Sequence, residues 1–331
     1  MEQVAFVFPG QGSQYVGMGL GLAERSAAAR EVFAEADEAL GLAVSELAWR
    51  GPSEELDRTV NAQPAILSAS IAYLRAMAAE REASGREPVQ PAFCAGHSMG
   101  QFSAMVAAGT LSLADGVRLV HERGRLMQAS APGVDGAMAA ILGLDPVALP
   151  EVLVAGARSG VVVLANDNAP GQVVVSGERP AVEAAIAAAR ERGARKAVVL
   201  PVSVAAHSPL MADAAQAIAR IVDGIHFADP RVPLLANASA ALITTGSAAR
   251  HELVEHLTNG VAWTRTVEAM AAAGVTHFLE VGPGRVLSGL VRRIVPDAEV
   301  HALDDPAAPG RLSVPDWTAA PAPARAGSAV A

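Results

Sequence analysis

One stretch of sequence decides the fold, residues 92 to 101, which reads Ala92-Phe93-Cys94-Ala95-Gly96-His97-Ser98-Met99-Gly100-Gln101. Its first residues, Ala92 to Ala95, are apolar and predict a short buried strand, while Gln101 to Ala108 are typical of a helix. Between them, residues 96 to 100 match Gly-x-Ser-x-Gly, a pattern in which small residues let a strand turn sharply into a helix. This order predicts an α/β fold in which Ser98 is an exposed nucleophile at the turn.

The helix that follows this turn directs its amino end at the serine. Backbone N–H groups at a helix amino end have no acceptor within the helix and carry a partial positive charge. We therefore expect the amide of Met99 to donate a hydrogen bond to an oxyanion formed at Ser98.

A serine hydroxyl needs a base, and the chain has eight histidines. We predict that His207 is the base, because it follows a predicted strand and precedes a predicted helix. The alternative is that His207 begins a helix and has no catalytic role. His97 is expected to pack and hydrogen-bond, because adjacent residues on a tight turn point apart. Five further histidines are expected to be surface or structural residues: His121, His226, His251, His277 and His301.

Arg123 has two interpretations. It is either a solvated helical arginine or, at a helix exit soon after the helix that follows Ser98, a clamp for a substrate carboxylate. A guanidinium can bind a carboxylate through two parallel hydrogen bonds.

The surrounding sequence predicts further strands and helices. The strand Val4 to Phe8 runs into a turn-rich segment, Pro9 to Gln14, which is typical of a loop at the carboxyl edge of a sheet. Apolar periodicity predicts helices at 26–40, 64–80, 208–222 and 247–273, and strands at 234–236 and 276–280.

Residues 136 to 200 alternate in the order βαββαβ, which is the order of a ferredoxin-like unit. The sequence thus predicts a hydrolase-like α/β core with a parallel sheet and a small ferredoxin-like α+β insert. The expected division is a large α/β subdomain made of 1–130 and 201–305, a small subdomain at 131–200, and a flexible tail at 306–331 that is rich in Pro and Ala.

Composition excludes several classes of protein. A single cysteine, Cys94, allows neither an internal disulfide nor a metal site of clustered thiolates, and the amino terminus lacks the features of a signal peptide. No apolar stretch reaches the roughly 18 residues of a membrane helix. We therefore expect a cytoplasmic protein without a membrane or metal site.

The net charge of -9 argues against general nucleic-acid binding. An acidic protein partner would have to dock on a local basic patch. Two such patches are present, each of which could equally be a solvated face: Arg190, Arg192, Arg195 and Lys196, or Arg292 and Arg293.

With these residues in place, the chain resembles the malonyl-CoA:acyl carrier protein transacylases and the discrete acyltransferases of polyketide synthases, from about Val4 to Ala302. The matching motifs occur in the family's order: residues 8–14, Gln63-Pro64-Ala65, residues 96–100, Arg123-Gly124, residues 169–174, residues 202–211, and Glu280-Val281-Gly282-Pro283-Gly284.

The resemblance implies transfer of malonyl from malonyl-CoA to the phosphopantetheine thiol of an acyl carrier protein, with no permanently bound cofactor. It implies Ser98 as nucleophile, His207 as base, and backbone oxyanion donors at Gln11 and Met99. Arg123 would bind the malonyl carboxylate, Gln63 would line the pocket, and the backbone carbonyl of His256 would orient the base in place of an aspartate. It also implies a monomer.

The chain departs from the family pattern at two positions. Gln101 stands where the family usually has Glu, and His256 stands where it usually has Gln. Both changes should be tolerated, because the first is outside the chemistry and the second contributes only a main-chain oxygen.

Other functions remain open at this point. The chain could be an editing hydrolase that uses Ser98 and His207, although such an enzyme has no need of Arg123. It could be an inactive partner in a synthase complex, although both residues are intact. Another extender unit, and either fatty acid or polyketide synthesis, also fit the sequence.

Overall fold

The computed structural model describes residues 3–130, 135–202, 204–304 and 312. Within these ranges the strands, in chain order, are β1 Gln3–Phe8, β2 Phe93–Gly96, β3 Gly136–Leu142, β4 Val162–Ala169, β5 Gln172–Glu178, β6 Lys196–Val199, β7 Leu234–Leu235, β8 Leu242–Ile243, β9 Val275–Glu280 and β10 Glu299–Ala302.

The helices of the same ranges are, in chain order, α1 Leu20–Arg25, α2 Ala27–Leu40, α3 Val44–Arg50, α4 Ser53–Leu56, α5 Thr59–Ala83, α6 Gly100–Ala107, α7 Leu113–Ala129, α8 Leu149–Ala157, α9 Arg179–Glu191, α10 Ala212–Val222, α11 Gly246–Glu255, α12 Trp263–Ala272 and α13 Val286–Ile294. Two short 3-10 turns, Pro146–Ala148 and Pro209–Met211, precede α8 and α10.

The larger sheet has the strand order β10-β9-β1-β2-β7-β8 and is parallel except for β8. β1 and β2 lie side by side with Phe8 opposite Gly96, so both strands end at the same edge. The loop after β1 and the turn after β2 therefore meet, as expected at the carboxyl edge of a parallel sheet. This edge positions the candidate site.

Helices cover the larger sheet and provide most of its core. In α2 the buried residues Ala29, Val32, Phe33 and Ala36 recur at helical spacing, and the side chain of Ser26 caps the helix by accepting from the amide of Ala29. The long helix α5 is buried along most of its length and packs against α2 and α7.

The smaller sheet is antiparallel, with the order β4-β5-β3-β6. Its elements follow one another as β3, α8, β4, β5, α9 and β6, so the ferredoxin-like arrangement is confirmed. Along β3, Ala137, Ala139 and Ile141 pack in the core under α8 and α9, whereas Met138 faces the other way, toward the larger sheet. Alternation along one strand thus gives the small sheet a core face and a face for the site.

Two of the predictions from periodicity are wrong. The predicted helix 247–273 is two helices, α11 and α12, because the chain between them pairs with β4: Val261 donates to the carbonyl of Ala165, and Asp167 donates to that of Val261. The predicted helix exit at Arg123 lies inside α7, where a Cβ on Gly124 would come within 2.7 Å of the Cα of Val60. Gly124 therefore lets α7 approach α5 closely and does not end the helix.

The predicted tail, 306–331, lies outside the described residues except for Leu312, which packs against the main core. Across the described ranges, no helix combines the length and apolar content needed to cross a membrane.

Candidate active site

Ser98 lies at the turn between β2 and α6 with a positive φ of 52°, a conformation that side-chain-bearing residues adopt at a cost. The turn closes only because its flanking residues are glycines. A Cβ on Gly96 would lie 2.0 Å from the carbonyl group of Gly100, and one on Gly100 would lie 2.1 Å from the carbonyl oxygen of Phe8. The Gly-x-Ser-x-Gly pattern is thus a steric requirement of this turn.

The hydroxyl of Ser98 and the ring of His207 are in contact, with 2.8 Å between Oγ and Nε2. On the other side of the ring, Nδ1 lies 2.8 Å from the carbonyl oxygen of His256 and 3.0 Å from that of Asn259. Both neighbours of Nδ1 are acceptors, so the proton belongs on Nδ1 and Nε2 is free to accept the hydroxyl proton of Ser98. Two main-chain carbonyls orient this base, in place of a carboxylate.

His207 is 3% exposed and also has a positive φ, of 58°. It lies on the irregular chain that returns from β6, a strand of the small sheet, to the 3-10 turn before α10. Burial, and to a smaller extent the charge of Arg123, lower its pKa to about 3, against the opposing effect of the two carbonyls. At neutral pH the imidazole is therefore uncharged and able to take a proton.

Arg123 projects from the middle of α7 and is 2% exposed. Its Nη1 donates to Oε1 of Gln63 at 2.9 Å, and its Nη2 donates to Oγ of Ser98 at 3.1 Å. Its Nε has no hydrogen-bond partner in the described structure, and no carboxylate of the described residues forms an ion pair with it. Burial lowers the pKa of the guanidinium to about 9, which leaves it charged at neutral pH. The site thus holds a buried cation beside the nucleophile.

Gln63 does not line the cleft, contrary to the prediction. It is fully buried beneath Arg123, where its Oε1 accepts from the guanidinium and its Nε2 lies 3.7 Å from the sulfur of Met127. Its contact with the cleft is therefore indirect, through Arg123.

The two predicted oxyanion donors lie on either side of Ser98. Met99 stands at the amino end of α6, and Gln11 lines the cleft from the loop after β1. A Cβ on Gly10 would lie 2.5 Å from the carbonyl oxygen of His97, so this loop passes very close to the turn. The side chain of Gln11 is engaged elsewhere, donating to Thr59 Oγ1 at 3.1 Å. Donation by these two amides to an oxyanion stays a prediction.

Side chains from both sheets surround a cleft of about 430 Å³ over Ser98 and His207. One wall is apolar and is formed by Met127, Met138, Leu200, Val202 and Val204. Half-buried Gln14 and exposed Asp57 also line the cleft, and Nε2 of Gln14 donates to Oδ1 of Asp57 at 2.8 Å. No group of His, Cys, Asp and Glu side chains suited to a metal ion occurs in the part of the chain that the structure describes.

His97 packs and hydrogen-bonds as predicted. Its Nε2 lies 2.7 Å from Oδ1 of Asn168, and its ring meets that of Trp263 edge to face with centroids 5.6 Å apart. These contacts hold the residue next to Ser98 away from the base.

Sequence reasoning missed two buried amides behind the turn. Asn237 accepts from the amide of Ser98 and donates to the carbonyl of Gly96. Gln101 accepts from the amide of Gly96 at 3.1 Å and donates to the carbonyl of Leu235 at 2.9 Å. For Asn237 a signal was available, since it is the first polar residue after the predicted strand 234–236. Polar residues in that position reach the carboxyl edge of the sheet.

Known proteins resemble the chain over nearly its whole length. A family model for the acyl transferase domain matches residues 5–304. The malonyl CoA-acyl carrier protein transacylase of Escherichia coli K12 is 47% identical over 93% of this chain and 98% of its own length. The transacylase of the same name from Bacillus subtilis is 44% identical over 92% of this chain and 95% of its own.

Solved structures agree with these relatives. The crystal structure of the malonyl-CoA:acyl carrier protein transacylase of Xanthomonas oryzae pv. oryzae has a TM-score of 0.87 at 46% identity and covers 93% of this chain and 96% of its own. A malonyl-transacylase in complex with a type II polyketide synthase acyl carrier protein has a TM-score of 0.87 at 42% identity, covering 92% and 97% of the two chains. The chain therefore belongs to the acyltransferase family, among the malonyl-CoA:acyl carrier protein transacylases.

Proposed function

We propose that this protein transfers the malonyl group of malonyl-CoA to the phosphopantetheine thiol of an acyl carrier protein, through an acyl-serine intermediate at Ser98. One observation carries the choice of acyl group. Arg123 is a buried cation without a carboxylate partner in the described structure, and it contacts the nucleophile itself. An isolated buried charge is unfavourable unless a ligand of opposite charge completes the site.

The geometry of the guanidinium indicates how the carboxylate binds. Nη1 is occupied by Gln63, whereas the N–H groups of Nε and Nη2 lie parallel along another edge. Nε has no partner and Nη2 reaches only the oxygen of Ser98. This edge would receive the malonyl carboxylate through two parallel hydrogen bonds.

The first half-reaction acylates the enzyme. The hydroxyl oxygen of Ser98 attacks the thioester carbon as its proton passes to Nε2 of His207. The carbonyl oxygen becomes an oxyanion that accepts from the amides of Gln11 and Met99. The carbon–sulfur bond then breaks, and the imidazolium returns its proton to the coenzyme A thiolate.

The second half-reaction reverses these roles. The pantetheine thiol gives its proton to His207 and attacks the acyl-serine carbon, and Ser98 recovers its proton as the serine ester breaks. The neutral base suits both steps, because burial and Arg123 keep the pKa of His207 low in the free enzyme. The apolar cleft wall favours a positioned thiol over loosely held water.

The carrier would dock on a basic patch near the cleft. Of the two patches predicted, that of Arg292 and Arg293 has the more direct link to the site. Arg293 donates to the carbonyl of Pro170, two residues from the Asn168 that holds His97. In the other patch, Arg192 pairs with Glu151. A cytoplasmic location is part of the proposal and is supported by the single cysteine, which fits a reducing compartment.

The test is a two-stage transfer assay on the wild type and Ser98→Ala. Intact-protein mass spectrometry after brief mixing with malonyl-CoA should find a malonyl adduct that Ser98→Ala lacks. Addition of a phosphopantetheinylated carrier should then discharge the adduct to malonyl-carrier much faster than buffer discharges it to malonate. Equal discharge to water and to carrier would identify an editing hydrolase.

A further inference from the structure

Asn237 is placed at the turn by the sheet. It follows β7, and β7 pairs in parallel with β2, the strand that ends in the turn. Because the carboxyl ends of neighbouring parallel strands lie at the same edge of the sheet, Asn237, two residues after β7, lies behind Ser98. Asn237 is 2% exposed and reaches the turn from the side away from the cleft.

The side chain of Asn237 makes complementary bonds to the backbone on the amino-terminal side of the strained residue, one on each side of His97. Its Oδ1 accepts from the amide of Ser98 at 2.8 Å, and its Nδ2 donates to the carbonyl oxygen of Gly96 at 3.0 Å. An amide group is needed for this pair of bonds, because a carboxylate cannot donate and an aliphatic side chain can do neither. These bonds oppose relaxation of Ser98 from its positive φ.

Asn237 is itself held by Glu252. The amide of Asn237 donates to Oε1 of Glu252 at 2.7 Å, and Glu252 is 8% exposed although it is a carboxylate. Glu252 lies on α11, which belongs to a different part of the chain from both β2 and β7.

The same turn of α11 leads to the base. The carbonyl oxygen of Glu252 accepts from the amide of His256 at 3.0 Å, and the carbonyl oxygen of His256 accepts from Nδ1 of His207. Glu252, which holds Asn237, and His256, whose carbonyl orients the base, are therefore four positions apart, on one helical turn at the end of α11.

We infer that Asn237 and Glu252 are positioning residues that hold Ser98 in its reactive conformation and fix it relative to His207 through one turn of α11. The inference rests on the proposed role of Ser98 as nucleophile. It does not depend on which acyl group or acceptor the enzyme uses.

The test measures the reactivity of Ser98 without a natural substrate. A fluorophosphonate probe reacts when the oxygen of Ser98 attacks phosphorus, fluoride leaves, and His207 takes the hydroxyl proton. The second-order rate constant of labelling, measured by intact mass, thus reports the geometry of the serine and its base. It remains measurable even if malonyl-CoA proves not to be the substrate.

We expect Asn237→Asp and Asn237→Ala to be labelled about 100-fold more slowly than the wild type, since a displacement near 1 Å at a reacting atom has an effect of this size. Glu252→Gln should be labelled about tenfold more slowly, because a charge-assisted hydrogen bond is replaced by a neutral one. All rates are taken well below each variant's melting temperature, with folding checked by circular dichroism.

Asp37→Asn is the matched control for general destabilisation. Asp37 also accepts from a backbone amide, that of Ser45 at 2.9 Å, but it joins α2 to α3 away from the turn. This variant should lose stability and keep the wild-type labelling rate. Labelling of folded Glu252→Gln and Asn237→Asp within twofold of the wild type would overturn the inference. If Asn237→Asp fails to fold, the rate of Glu252→Gln decides alone.

Discussion

Two buried charged side chains of this molecule, Asp304 and Arg123, differ in how completely their hydrogen-bonding groups are paired. Asp304, at the end of β10, is 1% exposed and accepts from the hydroxyls of Tyr15 and Tyr73 and from the amide of Gly284. Arg123, in the cleft, is as deeply buried, yet it has no carboxylate partner in the described structure and one N–H without an acceptor.

This difference indicates a structural role for Asp304 and a functional role for Arg123. Asp304 joins α5, the loop after β1 and the glycine-rich turn after β9, and its bonds offset the loss of hydration. Arg123 is compensated only in part, by the oxygens of Gln63 and Ser98 and by the ring of Phe102, so the free protein is less stable than its packing would allow. A protein retains such a group when a ligand supplies the missing partner.

The largest effect on stability is expected when Asp304, the charge with paired oxygens, is removed. Asp304→Ala removes the carboxylate that accepts from the hydroxyls of Tyr15 and Tyr73 and from the amide of Gly284, and a buried group that loses its partner costs about 1 to 3 kcal/mol. The free energy of unfolding in urea should fall by about 3 kcal/mol or more. Asp304→Asn keeps an acceptor and should lose less. Equal stability of Asp304→Ala and the wild type would contradict the structural role.

Removal of the Arg123 charge should change the free energy of unfolding in the opposite direction. Arg123→Met removes a buried cation that has no carboxylate partner in the described structure and keeps most of the apolar volume, so the free energy of unfolding should rise by about 1 to 2 kcal/mol. Arg118→Met, on the exposed side of the same helix, is the control and should change stability by less than about 0.5 kcal/mol. A clear loss of stability in Arg123→Met would mean that the guanidinium is already compensated.

A ligand carboxylate should supply the missing partner. Malonate at about ten times its dissociation constant should stabilise the wild type by about 1.4 kcal/mol, seen as a rise in melting temperature. Arg123→Gln should show no such rise, and chloride at equal ionic strength serves as the control. A rise of equal size in both proteins would place the anion elsewhere.

The smallest effect concerns the pH dependence of the base. Only neutral His207 can accept the serine proton, and its pKa of about 3 keeps it neutral as pH falls from 8 to 5. Labelling by a fluorophosphonate should therefore stay constant over that range. In Arg123→Gln the repulsion from the guanidinium is gone, so the pKa of His207 rises and the loss of rate in acid begins at higher pH. A wild-type loss of rate centred near the ordinary histidine pKa of about 6.5 would contradict this account.

Steric requirements made the nucleophile predictable. A Cβ on Gly96 would meet Gly100, and one on Gly100 would meet the end of the neighbouring strand β1, so the two glycines of the five-residue pattern indicate the turn and Ser98. The choice of His207 depended on the order of strands and on the family resemblance, because the two residues are 109 positions apart. Helical periodicity, by contrast, did not predict the break between α11 and α12. The break exists because Val261, which lies between these helices, pairs with β4.

Long-range polar contacts explain the remaining failures. Gln63 was expected in the cleft and lies under Arg123. Asn237 was overlooked because its partners are backbone groups, and a sequence does not show which backbone groups a side chain contacts. The short strands β8 and β10 carry too few residues for a periodic signal. The subdomain boundaries near residues 130, 200 and 305 stay a prediction.

Acylation rates with two donors on two proteins test the role of Arg123. The rate constant for acylation of Ser98 is measured with malonyl-CoA and acetyl-CoA, for the wild type and Arg123→Gln, by rapid-quench intact mass spectrometry. We expect the wild type to favour malonyl by about 100-fold or more and Arg123→Gln to lose that preference, since two charge-assisted hydrogen bonds disappear. An unchanged ratio of malonyl to acetyl rates in Arg123→Gln would mean that this buried cation does not bind the acyl carboxylate.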